Sequence, residues 1–106
     1  MRQQISQVHN VDANGNPAGG TTVGKGIEIE WQNGPLAVDG VRREPSGAFV
    51  EGVIAAALGR LQYYQSGKFK CRENALAITK LEEALHWLDS RTRDRETRGV
   101  EGTHTP

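Results

Sequence analysis

The sequence predicts an α+β fold in which a small N-terminal antiparallel β-sheet is followed by a long antiparallel two-helix hairpin, assembled as a homo-oligomer. Apolar residues recur at helical spacing over 46–99, with a short break at 66–68. Residues 27–31 alternate apolar and acidic side chains, as in a strand with one buried face. Each helix of a hairpin has an apolar stripe that one partner helix cannot cover, so the hairpin must pack on a sheet, on another copy of itself, or on both.

Length and composition limit the chain to a single domain of 106 residues. We expect a β-rich part at 1–45, the helical hairpin at 46–99 and a loose tail at 100–106. Because the chain is only 36% hydrophobic, its core is modest, and burial between subunits would supply what a monomer lacks. The formal net charge of zero argues against binding to a long nucleic acid, which needs a strong basic field.

The expected cellular compartment follows from the single cysteine and from the lack of a membrane span or secretion signal in the sequence. Cys71 is the only cysteine, so an intrachain disulfide and a thiolate metal cage are excluded. No apolar run approaches the roughly 20 residues of a membrane span, and the N-terminus does not resemble a secretion signal. We expect a protein that stays in a reducing cytosol and has no membrane partner.

The N-terminal part begins with a weak strand at 2–11, followed by a turn-rich loop up to residue 20. A better strand covers 21–32 and ends at the tight-turn dipeptide Asn33-Gly34. A short return strand is predicted at 36–38, and a mobile loop at 39–47 leads to the helices.

The first helix is predicted to begin near Ser46 as its cap and to end at Gly67 in a left-handed conformation. The second is predicted from about Phe69 to Arg98, stopped by Gly99. The predicted seam residues are Val50, Val53, Ile54, Ala57, Leu58 and Leu61 in the first helix and Ala75, Ile78, Leu81, Leu85 and Leu88 in the second.

Nothing in the sequence predicts an active site, a metal site or a cofactor. His9, His86 and His104 lie in three different segments without carboxylates at ligand spacing. The Gly-Lys-Gly run at 24–26 lacks the phosphate-loop pattern, and no Ser-His-Asp arrangement can be inferred. Cys71 is expected to be a cysteine packed in the hairpin. We therefore predict a protein that is not an enzyme.

The remaining polar residues suit a nucleotide. Tyr63 and Tyr64 offer rings for stacking, Asn74 can pair with a base edge, and Arg91 with Arg95 can grip phosphate. From spacing alone, structural roles stay open: the tyrosines can cover the end of the core, Asn74 can stabilise a helix start, and the arginines can form a solvated helix end.

A family resemblance adds to this interpretation. The chain resembles the phage anti-Thoeris sponge family, which shares its helical hairpin domain with the phage anti-CBASS sponge. The residues that carry the resemblance are GIEIEWQNGP at 26–35, GAFVE at 47–51, RLQYYQ at 60–65, CRENALAI at 71–78, ALHWL at 84–88, Arg91, Arg95 and GVEGTH at 99–104. The first 25 residues match no family motif.

The resemblance implies a function and a set of partners. A member of that family sequesters the cyclic ADP-ribose isomers made by the bacterial Thoeris sensor and leaves them intact, in the cytoplasm of the infected bacterial host. It forms a homodimer or a hexamer that is a trimer of dimers, and some members also take up cyclic oligonucleotides. The resemblance implies that Tyr64, Asn74, Arg91 and Arg95 hold the ligand, with Tyr63 as the alternative aromatic residue.

Helix geometry makes the implied pocket a shared one. Asn74 and Arg91 are 17 positions apart, roughly 25 Å along a helix, so one small ligand cannot touch both in one chain. We expect Tyr64 and Asn74 from one subunit to face Arg91 and Arg95 from a partner, with Arg42 or Arg43 closing over the ligand.

Two other functions stay open. A sponge for CBASS cyclic di- or trinucleotides, alone or in addition, would use the basic patch formed by Arg60, Lys68, Lys70 and Arg72. A helical oligomerisation module would bind no ligand at all. Binding measurements with both ligand classes separate the three functions.

Overall fold

The computed structural model describes residues 4–106, and the predicted α+β class is confirmed. The chain forms two compact units. The sheet unit extends to Phe49 and includes Val100–Pro106, and the hairpin unit is Val50–Gly99. Neither helix combines the length and the apolar character needed to cross a membrane.

Three strands form an antiparallel meander in the sheet unit. They are β1 (Ile5–Val11), β2 (Pro17–Gly24) and β3 (Ile27–Trp31), with β2 in the centre. The strand predicted at 2–11 is confirmed from residue 5, and residues 2–3 lie outside the described part. The loop predicted up to residue 20 is too long, because Gly19 and Gly20 belong to β2. Gly20 has a φ of 136° and lies against the carbonyl of Val8, so the turn-like glycines serve a close strand approach instead.

One face of this meander carries a hydrogen-bond chain across all three strands. The indole Nε1 of Trp31 donates to Thr22 Oγ1 at 2.8 Å, and Thr22 Oγ1 donates to Gln7 Oε1 at 2.9 Å. Thr22 is only 5% exposed. Ile29 and Trp31 lie on the same side and are half-buried, whereas Glu28 and Glu30 on the other side are exposed. The predicted alternation of β3 is therefore confirmed, although Ile27 is 42% exposed.

The segment after β3 is ordered where the sequence predicted a mobile loop. Strand β4 (Ala37–Val38) pairs with β5 (Val41–Arg42) in a separate two-stranded hairpin. Asp39 and Gly40 form its turn with φ values of 52° and 77°, which Asp and Gly tolerate better than most residues. The return strand predicted at 36–38 thus exists, but its partner is β5.

The tail predicted as loose is also ordered. The amide of Ala37 donates to the carbonyl of Gly102 at 2.8 Å, so the tail lies beside the β4–β5 hairpin. His104 Nδ1 is 3.1 Å from Asn16 Nδ2. That prediction was wrong because short segments rich in Gly and Thr show no periodicity, even when their backbone groups are bonded.

The hairpin unit consists of α1 (Val50–Gln65) and α2 (Arg72–Arg98). The predicted cap at Ser46 is wrong, because its hydroxyl accepts from the amide of Asn33 at 3.0 Å, ahead of the helix. Gly67 is not left-handed, so that prediction is wrong as well. Gly99 ends α2 with a φ of 74° and is confirmed as the stop. The second helix starts at Arg72, later than predicted, because Cys71 caps it.

The seam between the helices is half-buried in the single chain. Its members are Val53, Ile54, Leu58, Leu61 and Gln65 in α1 and Asn74, Ala77, Ile78, Leu81, Ala84, Leu85, Leu88 and Thr92 in α2. Three residues predicted for the seam, Val50, Ala57 and Ala75, are exposed instead. Among residues 4–106 no hydrophobic side chain is buried, so the single chain leaves its apolar stripes partly uncovered.

Candidate functional site

The turn between the two helices carries the most concentrated group of aromatic and cationic side chains in the hairpin unit. We call Arg60, Tyr63, Tyr64, Lys68 and Phe69 the tip cluster. An open cavity of about 250 Å³ lies at this turn. It is lined by Tyr63, Tyr64, Ser66, Gly67, Lys68 and Phe69. Concave sites with aromatic walls and a few polar groups are typical of small-molecule binding.

The two tyrosines lie on the last turn of α1 and are held by Arg60. Their ring centroids are 5.9 Å apart, with the ring planes inclined by 53°. The Arg60 guanidinium carbon lies 5.1 Å from the Tyr63 centroid and 4.9 Å from the Tyr64 centroid. Arg60 Nε also donates to the Tyr64 hydroxyl at 3.1 Å. Spacings of three and four residues place all three side chains on one helix surface.

A second cation–π contact, between Lys68 and Phe69, lies in the turn after α1. Lys68 Nζ lies 5.4 Å from the centroid of the Phe69 ring. Phe69 is 69% exposed and Tyr63 is 65% exposed, so both rings offer faces to a ligand. The cavity therefore combines aromatic faces with positive charge. A nucleotide needs both, because its base stacks on rings and its phosphates are attracted by cations.

Asn74 lies in the first turn of α2 and takes part in its start. Its amide donates to Cys71 Sγ at 3.4 Å, which makes the cysteine the N-cap. Its side-chain Nδ2 donates to the carbonyl of Phe69 at 3.4 Å. Asn74 is not a lining residue of the cavity, but its side chain bonds the backbone of one. One amide hydrogen is used in this way, which leaves the carbonyl oxygen and the other hydrogen for a ligand.

Cys71 differs from the prediction. It is exposed rather than packed within the hairpin, and its amide donates to Gln65 Oε1 at 2.9 Å while Gln65 Nε2 donates to its carbonyl at 3.0 Å. These two hydrogen bonds between the Gln65 side chain and the Cys71 backbone close the turn between α1 and α2. They thereby fix the position of Asn74 at the start of α2.

The two arginines near the end of α2 have different environments. Arg91 is exposed, whereas Arg95 is only 7% exposed. They are one helical turn apart and share a helix face. Because α2 is continuous from Arg72–Arg98, the distance of roughly 25 Å between Asn74 and Arg91 follows from helix rise alone. The structure does not bring these sequence-predicted residues together within one chain.

The arginines predicted to close over the ligand lie at the β4–β5 hairpin. Arg42 forms a two-pronged ion pair with Glu101, with Nη1–Oε2 at 2.7 Å and Nη2–Oε1 at 3.1 Å. Arg43 is exposed, and its amide donates to the carbonyl of Leu36 at 2.6 Å. Both arginines are exposed, and the guanidinium of Arg42 is engaged by Glu101.

The histidines occupy separate places, as the sequence indicated. His9 is exposed on β1, His104 contacts Asn16, and His86 lies edge-on to Trp87 with centroids 5.3 Å apart. Over residues 4–106, no group of three His, Cys, Asp or Glu side chains is arranged to hold a metal ion.

Sequence reasoning missed two members of the tip cluster. It assigned Arg60 only to a basic patch and gave Phe69 no ligand role. The spacing of Arg60 to Tyr63 and Tyr64 was the available signal, because i to i+3 and i to i+4 residues are neighbours on a helix. Phe69 carried no such signal, since it lies in an irregular turn.

The fold and the tip geometry define a helical-hairpin protein with an aromatic, cationic cavity at the turn and a small sheet before the hairpin. The chain belongs to the Acb2/Tad1 hairpin domain family, whose model matches residues 24–93. It is similar to Thoeris anti-defense 1 of Bacillus phage SBSphiJ7, with 53% identity over 81 residues, which are 76% of this chain and 54% of the relative. The chain thus spans about half the length of the curated relative it matches, and the resemblance drawn from the sequence is confirmed.

Proposed function

We propose that this protein is a phage anti-defence protein that binds and sequesters cyclic ADP-ribose isomers, the signals of Thoeris immunity, without cleaving them. The observation that carries the proposal is the tip cluster, where three aromatic rings and Lys68 line one cavity and Arg60 lies against the two tyrosine rings. An adenine ring stacks on such faces, and a pyrophosphate is attracted by such cations. The relative's name, Thoeris anti-defense 1, supports the same biological role.

The size of the cavity supports a site completed by a second copy. Small-molecule pockets are commonly about 300–1,000 Å³ and enclose most of the ligand. The cavity of one chain is smaller, at about 250 Å³, and is open to solvent. In the proposed site, a partner copy packed antiparallel adds Arg91 and Arg95 to Tyr64 and Asn74, with Tyr63 beside them. This arrangement overcomes the separation of roughly 25 Å along α2.

The uncovered apolar surface supports a homo-oligomer, either a dimer or a hexamer built as a trimer of dimers. Eight successive residues of α1, from 52 to 59, carry no polar side chain. A helix that is apolar on all sides is normally buried. Leu76 and Trp87 on α2 are also exposed and lie three turns apart on one face. In a homo-oligomer, the exposed apolar surfaces of two copies of the chain cover each other.

Sequestration rather than cleavage fits the chemistry of the site. Bond cleavage requires a positioned acid, base or nucleophile near the ligand. In the described part of the chain, no His, Asp or Glu lines the cavity to act as a base, and the Ser66 hydroxyl already donates to the carbonyl of Tyr63 at 2.7 Å. Slow release from an enclosing site is enough to lower the free signal concentration.

Titration calorimetry of the purified chain with cyclic ADP-ribose isomers tests the proposal, followed by heat denaturation and mass analysis of the released ligand. We expect tight binding and recovery of the ligand with unchanged mass. Asn74→Ala should weaken binding, whereas Asn10→Ala, the same change at an exposed position on β1, should not. Absence of binding, or release of a linear product, contradicts the proposal.

A second ligand class is favoured by one further observation. Lys70 and Arg72 are exposed next to Lys68 and Phe69, so positive charge extends beyond the cavity. A cyclic di- or trinucleotide carries its phosphates spread around a large ring and fits such an extended basic patch at an oligomer interface. Competition between the two ligand classes in the calorimeter distinguishes one site from two. Failure of both classes to bind leaves the helical oligomerisation module as the better description.

A further inference from the structure

We infer that Arg60 is a positioning residue that fixes the Tyr64 ring and turns the Tyr64 hydroxyl into a hydrogen-bond donor for the ligand. This inference rests on the proposed function, because it concerns how the tip cluster recognises a nucleotide. Arg60 touches Tyr64 in two ways, through the 3.1 Å bond from Nε to the hydroxyl and through the guanidinium carbon 4.9 Å from the ring centroid. Either contact alone would leave the ring some rotational freedom.

The position of Arg60 relative to the cavity decides which face of the ring is free. Tyr63 and Tyr64 both line the cavity, whereas Arg60 is not one of its six lining residues. The guanidinium therefore approaches the rings from outside the cavity. A base that enters the cavity stacks on the remaining face of Tyr64, which makes a sandwich of guanidinium, phenol ring and base. The cation increases the attraction for the electron-rich base, since rings and cations stabilise one another when water is excluded.

The hydrogen bond determines what the hydroxyl can still do. A phenol has one proton to donate, and its oxygen can accept. Because the oxygen accepts from the positively charged Arg60, its own proton points elsewhere and becomes a stronger donor. The ligand group that receives it must be an acceptor, such as a phosphate oxygen or a ring nitrogen of the base. A phenylalanine at this position would keep the stacking face and lose this donor.

Two substitutions and their combination test the pair. Tyr64→Phe removes the donor, and Arg60→Met removes the guanidinium while keeping an apolar stem. We expect each to raise the dissociation constant for a cyclic ADP-ribose isomer about tenfold, as for loss of a charge-assisted hydrogen bond. In the Tyr64→Phe background, Arg60→Met should add less than about threefold, because the two residues act as one unit.

A matched control separates positioning from general charge. Lys80→Met removes one positive charge from an exposed site in the middle of α2, where the Lys80 side chain is 77% exposed, and we expect about a threefold change or less, as for one screened surface charge. Arg60→Lys should restore the charge without the planar fork and recover only part of the affinity. Circular dichroism of each variant should match the parent protein, because Arg60 and Tyr64 are exposed.

Three results would overturn the inference. They are equal effects of Arg60→Met and Lys80→Met, full additivity of Arg60→Met with Tyr64→Phe, and tighter binding by Arg60→Met, which would mean that the guanidinium blocks the rings. If the parent protein binds no cyclic ADP-ribose isomer, the proposed function itself fails. If it binds and one of these three results is found, only the role assigned to Arg60 fails.

Discussion

Arg42 and Glu101 face each other as a fork pair, with two nitrogen–oxygen distances of 2.7 and 3.1 Å. The pair joins β5 to the segment that follows the second helix, 59 positions away in the chain. The Arg42 side chain is 58% exposed and that of Glu101 is 26% exposed. A two-pronged geometry fixes the arginine more firmly than a single contact does. The pair therefore gives an arginine predicted to bind ligand a role within the sheet unit.

This pairing predicts a difference between the two neighbouring arginines. Arg43→Ala should raise the dissociation constant for a cyclic ADP-ribose isomer about tenfold, a loss of ~1.4 kcal/mol, because its exposed guanidinium can reach an anion. Arg42→Ala should have a smaller effect on affinity. It should lower the free energy of unfolding, with a coupling to Glu101→Ala of about 0.5–1 kcal/mol in a double-mutant cycle. Calorimetry and urea denaturation measure the two quantities, and the reverse order of affinities would refute this assignment.

Mixing two defective variants tests the shared pocket. Asn74→Ala removes the residue at one end of the site, and Arg91→Ala removes the residue at the other end. Because the two positions come from different subunits in the proposed pocket, a heterodimer retains about one intact site and one doubly damaged site. Binding should return when the unfolded variants are refolded together, as measured by calorimetry. Two variants that both carry Asn74→Ala provide the control, and no recovery in the mixture would count against a composite site.

The hydrogen-bond chain across the sheet predicts a large effect from a nearly isosteric change. Thr22→Val keeps the shape but removes the acceptor for Trp31 and the donor to Gln7, both in a buried position. We expect a loss of about 1–3 kcal/mol in the free energy of unfolding, typical of a buried polar group left without its partner. The control is Thr21→Val, at an exposed neighbouring position on the opposite face, with a change within about 0.5 kcal/mol. Equal effects in urea denaturation would show that the chain of bonds contributes nothing.

The segment that precedes the first helix contains Gly47, at a position that has no room for a side chain. A Cβ at Gly47 would lie 2.5 Å from the carbonyl oxygen of Glu30 and 2.6 Å from the carbonyl carbon of Trp31. Both are backbone atoms, so Gly47→Ala must displace the chain from β3 and should cost about 1–3 kcal/mol of folding free energy. Gly67→Ala is the matched control, because the nearest atom is 3.8 Å away. Thermal unfolding that is unchanged in Gly47→Ala would disprove the close contact.

The parts of the fold that the sequence predicted are those with a repeating pattern. The alternation at 27–31 and the helical spacing in the hairpin reflect burial on one side, and both elements are present. Gly99 was predictable because a glycine after a long helix has few other uses.

The missed features depend on contacts between residues far apart in the chain. Gln32 Oε1 accepts from the amides of Ser46 and Gly47 at 2.8 and 3.3 Å, which keeps Ser46 outside the helix. Local sequence can indicate that a serine is able to cap a helix, but not that a side chain from another segment already holds its backbone.

The candidate site was predictable in its residue types but not in its arrangement. Tyr64 and Asn74 do flank one turn, as their positions in the sequence indicated. The burial of Arg95 was not predictable, because a charged residue at a helix end is usually solvated. The cation over both tyrosine rings depends on side-chain rotamers, which sequence spacing permits but does not determine.

Because the second helix is unbroken, it determines the distance and the rotation between Asn74 and Arg91 in the proposed assembly. Inserting or deleting a single residue between Asn74 and Arg91 would shift one end by about 1.5 Å and rotate it by roughly 100° relative to the other. Both ends would then miss their counterparts in a symmetric pair. A protein of this kind can therefore change the messenger that it recognises more readily by exchanging side chains at the two ends of the helix. A change in the length of the helix between them would disrupt both sites.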